Sequence, residues 1–246
     1  MGEYIKLFSE HTDYTTYRNG NMVLPNVSYC SDTPNEVHYN PFTGAWLEVT
    51  YTISDISSAT TLWYDNSGSD EDYISGMEID GVGLENIVDT YQFSATGQHV
   101  VKYRLANPTT LDFCGLSGNS EVVALTIPDT VVYITASFAS TSLTSVTIPD
   151  SVEAIHHYAF TNMPYLSSIV FGSSVSLLES EVVSSSVSLT MTFKNPVPVS
   201  IGVDSFFVDY DNLTNIYVPE EAVDTYKAAS GWSAYASIIS AIPSNP

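Results

Sequence analysis

Two stretches of this chain nearly repeat each other: "VVALTIPDTVVYITASF" over residues 122–138 and "LTSVTIPDSVEAIHHYAF" over residues 143–160. Self-similarity at a fixed spacing constrains the fold more than any other property, because a unit this short has one apolar edge and cannot bury it alone. Aligned on the first apolar residue, successive units begin at Val122, Leu143, Leu166, Leu189 and Leu213, at intervals of 21, 23, 23 and 24 residues.

In the clearest unit the inward slots are Leu143, Val146, Ile148, Val152, Ile155, Ala159 and Phe160. The unit before it fills the same slots with Val122, Leu125, Ile127, Val131, Ile134 and Phe138, and the unit after it with Leu166, Ile169, Phe171, Val175 and Leu178. A decayed unit precedes them, since Leu111 stands 11 residues ahead of Val122 as Ile155 stands 11 ahead of Leu166. About five stacked turns follow from this, and the stack needs sealed ends. After Leu213, Ile216 and Val218 comes "PEEAVDTYKAASGW", with Pro219 at a helix start, Glu220 and Glu221 in the first turn and Gly231 at the stop. Its Ala222, Val223 and Tyr226, followed by Trp232 and Tyr235, are expected to lid the last turn.

The phrase "LTSVTIPDSVEAI" followed by Ala159-Phe160 resembles the BspA-like class of leucine-rich repeats, over roughly residues 107–246. Two departures from that pattern predict irregular rungs: Ile155-His156 replaces the usual Ile-Gly, and Val182-Val183 replaces Ala-Phe in the third unit. The resemblance implies proteins displayed on the surfaces of gut anaerobes or carried by their phages.

Upstream, "AWLEVTYTIS", "TTLWYDN", "SGMEIDGV" and "VDTYQFSATGQHVVKYRL" read as alternating or β-branched strands separated by turns. A turn at Gly97 opens the last of these, which is expected to carry a local irregularity. Four to seven strands over residues 45–106 predict a small antiparallel sandwich, and "YQFSATGQHVVKYRL" resembles the closing hairpin of immunoglobulin-like or PKD-like modules. Residues 1–44 carry Pro25, Pro34 and Pro41 among Asn, Ser and Tyr, which predicts an extended arm. That arm is similar to N-terminal segments of phage structural proteins, and Pro25, Asn26, Tyr29, His38 and Tyr39 are its candidate docking residues. The expected fold is therefore mainly β: arm 1–44, sandwich 45–106, and a leucine-rich-repeat solenoid with a short capping helix over 107–246.

Composition narrows function. The 28 acidic residues against 6 basic ones give a net charge of -22, and 15 acids fall in residues 1–106 against 13 in the remainder. An evenly spread negative field repels phosphate backbones and anionic lipid, so neither nucleic acid nor membrane is an expected partner. The opening "MGEYIKLF" shows no signal peptide, although a leader replaced by an expression Met-Gly would look the same. Cys30 and Cys114 form no disulfide framework or metal spacing.

Chemical constellations are sparse. His156 and His157 are adjacent, so on a strand or a turn they point apart, and they read as surface histidines at a solenoid bend. The acidic run "DNSGSDED" offers Asp65, Asp70 and Asp72 as a calcium candidate, but it lacks the sixth-position Gly and final Glu of an EF-hand loop and reads better as a solvated turn. Asp209 and Asp211 read the same way. Neither a catalytic motif nor a cofactor fingerprint occurs. If Leu143, Val146 and Ile148 point inward, Thr147 points out, with Thr126, Val170, Thr192 and Tyr217 as its column partners. This ladder suits holding a glycan or host surface protein. The expected function is a non-enzymatic virion component, a head fibre, capsid decoration or tail-associated protein, on the virion surface. Its arm would bind other virion proteins, and a homo-oligomer is compatible with that role. A secreted bacterial surface adhesin is the alternative.

Overall fold

Nearly every apolar repeat position aligned above is buried, because each rung of chain lies against the rung before it. In the computed structural model, residues 44–63, 73–112, 115–135, 138–185, 187–202 and 212–244 are described, together with four short N-terminal strands. Those four are β1 (Tyr17–Arg18), β2 (Asn21–Met22), β3 (Val27–Tyr29) and β4 (Val37–Tyr39). They form two antiparallel hairpins, β1 with β2 and β3 with β4, within a unit of residues 1–43.

Residues 44–246 make a second compact unit. It opens with β5 (Trp46–Ile53), β6 (Thr60–Thr61), β7 (Ile74–Ile79), β8 (Val82–Gly83), β9 (Thr90–Tyr91) and β10 (Gly97–Leu105). β5 alternates as its sequence does: Leu47, Val49, Tyr51 and Ile53 face in, and the residues between them face out. β10 pairs antiparallel with β5 on one side and with β7 on the other. The irregularity expected between Val100 and Tyr103 is not where the strand departs from regularity: Val101, Tyr103 and Leu105 are buried in strict alternation, and the register shift against β7 lies at Arg104/Leu105. The small pair β6–β9 stands apart from this sheet. The Leu62 carbonyl, just after β6, accepts hydrogen bonds from the buried Tyr51 (2.5 Å) and Tyr103 (3.0 Å) hydroxyls. Burial raises the pKa of both phenols, so they act as neutral structural groups.

The solenoid follows: β11 (Thr110–Leu111), β12 (Val122–Thr126), β13 (Tyr133–Ile134), β14 (Ser145–Thr147), β15 (Ala154–Ile155), β16 (Phe160–Met163), β17 (Ser168–Phe171), β18 (Leu177–Leu178), β19 (Val183–Ser185), β20 (Leu189–Phe193), β21 (Ser200–Ile201) and β22 (Leu213–Val218). The helix α1 (Val223–Ala228) and β23 (Ile239–Ala241) complete it. Three parallel ladders run along the stack, in the orders β14-β17-β20-β22-β23, β11-β13-β15-β18-β21 and β16-β19. Between them lie columns of like residues, such as Val146, Ile169, Met191, Ile216 and Ile239, all at most 3% exposed. Each such side chain contributes roughly 1.5–3 kcal/mol only once its neighbours exclude water. The decayed unit is present, with Leu111 paired to Ile134 in the second ladder.

The ends depart from the expectation in two ways. The helix does not terminate the stack: β23 follows it and pairs parallel with β22, so α1 is a crossover inside one more rung. The aromatic residues nevertheless seal the core, Phe193 lying 4.5 Å from Phe171 and 5.0 Å edge-on from Trp232, whose indole donates to the Val199 carbonyl at 2.8 Å. At the other end, β12 does not join β14 in the ladder. It pairs antiparallel with β5 around a bulge at Val122/Ala124, as the edge strand of the order β12-β5-β10-β7-β8, so sheet pairing crosses the boundary expected at residue 106. Buried apolar side chains accordingly form one continuous core from Ala45 to Ile239.

Tight corners are made largely without glycine. Ser140, Tyr158, Asn162 and Glu181 hold positive φ of 52–63°, with Tyr158 and Glu181 at the same corner of consecutive rungs. Such a conformation costs an ordinary residue about 1–2 kcal/mol, which the hydrogen bonds between rungs offset.

Candidate functional site

The outward residues of the first ladder form the broadest regular surface of the solenoid. Strands on a parallel sheet repeat every 4.7–4.9 Å, so residues in register stand in straight columns. Thr147 pairs with Val170, Val170 with Thr192, Thr192 with Tyr217, and Tyr217 with Ser240. Four of the five residues named from the sequence thus lie in one column, which Ser240 on β23 continues. Thr126 does not extend it. β12 turned to pair with β5 instead, and Thr126 sits opposite Glu48.

A second column that the sequence reading did not name runs beside the first: Ser145, Ser168, Thr190 and Asn215. Its signal was present, since each of these residues lies two positions before a member of the first column, on the same strand face. Asn215 Nδ2 reaches Thr190 Oγ1 at 3.5 Å, and along the margin Ser188 Oγ donates to Thr214 Oγ1 at 3.1 Å. Hydroxyls, one amide, one valine and one phenol make up the two columns, with no charged residue among them. Such a face can donate and accept hydrogen bonds and stack an apolar ring edge; it holds no group poised to move a proton near neutral pH and no set of metal ligands.

Charge lies at the margins. Asp150 follows β14 and its carboxyl is held below the usual range, first by the Ser173 N–H at 2.9 Å; burial opposes this, and Lys194 at 3.5 Å adds to the lowering. On another corner, His156 and His157 do not point apart as expected. His156 Nδ1 lies 3.0 Å from Glu179 Oε1 and His157 Nε2 lies 3.0 Å from Glu179 Oε2, so one carboxylate of the next rung draws in both rings. Both residues follow the end of β15 at Ile155, where the chain turns toward Tyr158 at φ 63°, and the two oxygens of Glu179 hold one ring each. No cluster of three or more His, Cys, Asp or Glu suited to a metal occurs among the described residues.

Other sequence candidates fall elsewhere. Asp65, Asp70, Asp72, Asp209 and Asp211, and likewise Pro25 and Asn26, lie outside the described residues. Tyr29 ends β3 opposite Val37, and His38 and Tyr39 lie on β4 opposite Ser28 and Val27. Among the described residues no helix is long and apolar enough to cross a membrane.

Residues 133–230 match the family described as "BspA type Leucine rich repeat region", in six copies. That span runs from β13 through β22 and the crossover helix, and takes in both columns from Ser145 to Tyr217; β11 and β23 lie outside it. No curated protein matches the chain.

Proposed function

We propose that this protein, whose residues 133–230 carry the BspA-type repeat, is a non-enzymatic binding scaffold exposed on a biological surface, and that the surface is a virion. The observation that carries the scaffold reading is the pair of uncharged columns: a stiff, flat array of hydroxyls set by backbone pairing, with length that scales with repeat number. A site of this kind recognises by complementary hydrogen bonding over an extended strip, which suits a glycan chain or a protein face of the host or its mucosa. Assignment to a head fibre, capsid decoration or tail-associated protein rests on the similarity of residues 1–44 to phage structural proteins, with those residues docking on other virion proteins.

The test is assembly. Deleting residues 1–44 should leave a folded protein that no longer co-purifies with particles, while the full chain does; a truncated chain that still rides on virions refutes the docking role. The repeat match favours one second reading, an adhesin on a bacterial cell surface, and immunogold labelling of the producing cells and of purified particles separates the two.

A further inference from the structure

Where β12 leaves the ladder, two sheet edges come face to face. β12 is the last strand of the antiparallel sheet and β14 the first strand of the parallel one, and neither has a partner on the side turned toward the other. They are tied at one end by the Ser142 N–H on the Val122 carbonyl at 3.0 Å. Beyond that tie a cleft of about 360 Å³ opens, lined by Ala124, Leu125, Thr126 and Asp129 on one side and by Ser145 and Thr147 on the other. Its volume falls in the ordinary range of ligand sites, roughly 300–1,000 Å³.

The backbone of β14 specifies what the cleft asks for. Thr144 accepts from the Ser167 N–H and the Ile148 N–H donates to Val170, so the even-numbered residues serve the β17 side. Peptide groups alternate along a strand. Those of Ser145 and Thr147 therefore aim into the cleft, as donor and acceptor pairs at strand spacing. Natural sheet edges are commonly blunted by an inward charge, a lysine or a covering segment. Here the lining holds one charged residue, the exposed Asp129, and it is an acid in a chain of net charge -22.

We propose that this cleft receives an extended, cationic peptide segment of a partner protein by strand addition to the β14 edge. Main-chain hydrogen bonds to Ser145 and Thr147 supply the affinity, and a lysine or arginine of the segment pairs with Asp129. The inference concerns an edge, not the columned face, and holds whichever surface displays the protein.

The probe is the peptide acetyl-Lys-Thr-Val-Thr-Val-Lys-amide titrated into the full chain, followed by amide NMR. Saturable shifts are expected at Ser145 and Thr147 and at the cleft side of β12. A peptide N-methylated at alternate residues, in each of the two phases, should lose binding in one phase only, because just one of its edges faces β14. Asp129→Asn should weaken the lysine peptide about three- to fivefold and leave a glutamine analogue unchanged. In the free protein, the Ser145 and Thr147 amides should exchange with solvent much faster than those of Val146 and Ile148. Slow exchange at Ser145 and Thr147, no shift at millimolar peptide, shifts confined to the column residues of β17, β20 and β22, or equal binding of both methylated peptides each overturns the proposal.

Discussion

Gly172→Ala offers the sharpest test of the stacked arrangement. Gly172 follows β17 directly beneath the Pro149–Asp150 turn of the preceding rung. A Cβ added there would lie 2.5 Å from the Pro149 carbonyl carbon and 2.7 Å from Asp150 Cα, with the Pro149 carbonyl oxygen nearer still. All three are backbone atoms, so no rotamer change relieves the overlap. Ordinary contact begins near 3.4 Å, so the two rungs are too close by about 0.9 Å at the Pro149 carbonyl carbon and by more at its oxygen. Moving them apart by that much would stretch the Ile148 N–Val170 O bond at 2.8 Å and the Ser173 N–Asp150 bond at 2.9 Å beyond useful length. Losing two such bonds costs about 1 kcal/mol each, and the overpacking itself roughly 1–3 kcal/mol. A net loss of about 3–5 kcal/mol corresponds to a Tm drop of roughly 6–20 °C for a domain of this size. Thermal unfolding followed by circular dichroism measures it directly. A Gly172→Ala protein melting within a degree or two of the parent would mean that the rungs are not in the contact described.

Trp232→Ala should cost about 3–5 kcal/mol, since the indole is fully buried against Phe193 and Tyr226 and its N–H satisfies the Val199 carbonyl; calorimetry should show one lowered transition, and an unchanged Tm would exclude the seal. The third prediction concerns pH. Burial of the His99 ring opposes its charging, but the Asp80 hydrogen bond at 2.7 Å, the Ala95 carbonyl and the Asp80 charge outweigh it, so the folded-state pKa is raised. The contact therefore stabilises fully below the ordinary histidine value of about 6.5 and fades as pH climbs through the raised one. His99→Gln should lose about 0.5–1 kcal/mol at about pH 5 and close to nothing at about pH 9; equal losses at both, measured by urea denaturation, would refute the linkage.

What the sequence disclosed and what it hid divide along the range of the interactions. Leu143, Val146, Ile148, Val152 and Ile155 announced a rung because the same slots recur nearby, and all five are buried. Four column residues were readable for the same reason: once the inward slots are known, the outward ones follow by alternation. Partner choice was not readable. "Ala-Leu-Thr" at 124–126 has the pattern of "Ser-Val-Thr" at 145–147, yet β12 takes a strand some 70 residues upstream, and nothing local distinguishes the two outcomes. Leu125, half-buried where its counterpart Val146 is fully so, is the one trace of the switch. β23 escaped notice because Ile239–Ala241 is three residues long and follows the helix, which reads as the lid of the last turn. The convergence of His156 and His157 depended on a left-handed corner at a tyrosine, a residue that gives no advance sign of it.

The allegiance of β12 to β5 also fixes where this architecture could gain or lose length. Both extremities are custom fittings, one fused to the antiparallel sheet and the other plugged by tryptophan and tyrosine, whereas the turns from Leu143 to the residues before Leu213 join like to like through interchangeable backbone pairings. A lineage that needed a longer reach would duplicate a unit within that middle stretch, leaving both terminal joints untouched, and size variants of this protein should differ there by multiples of about 23 residues.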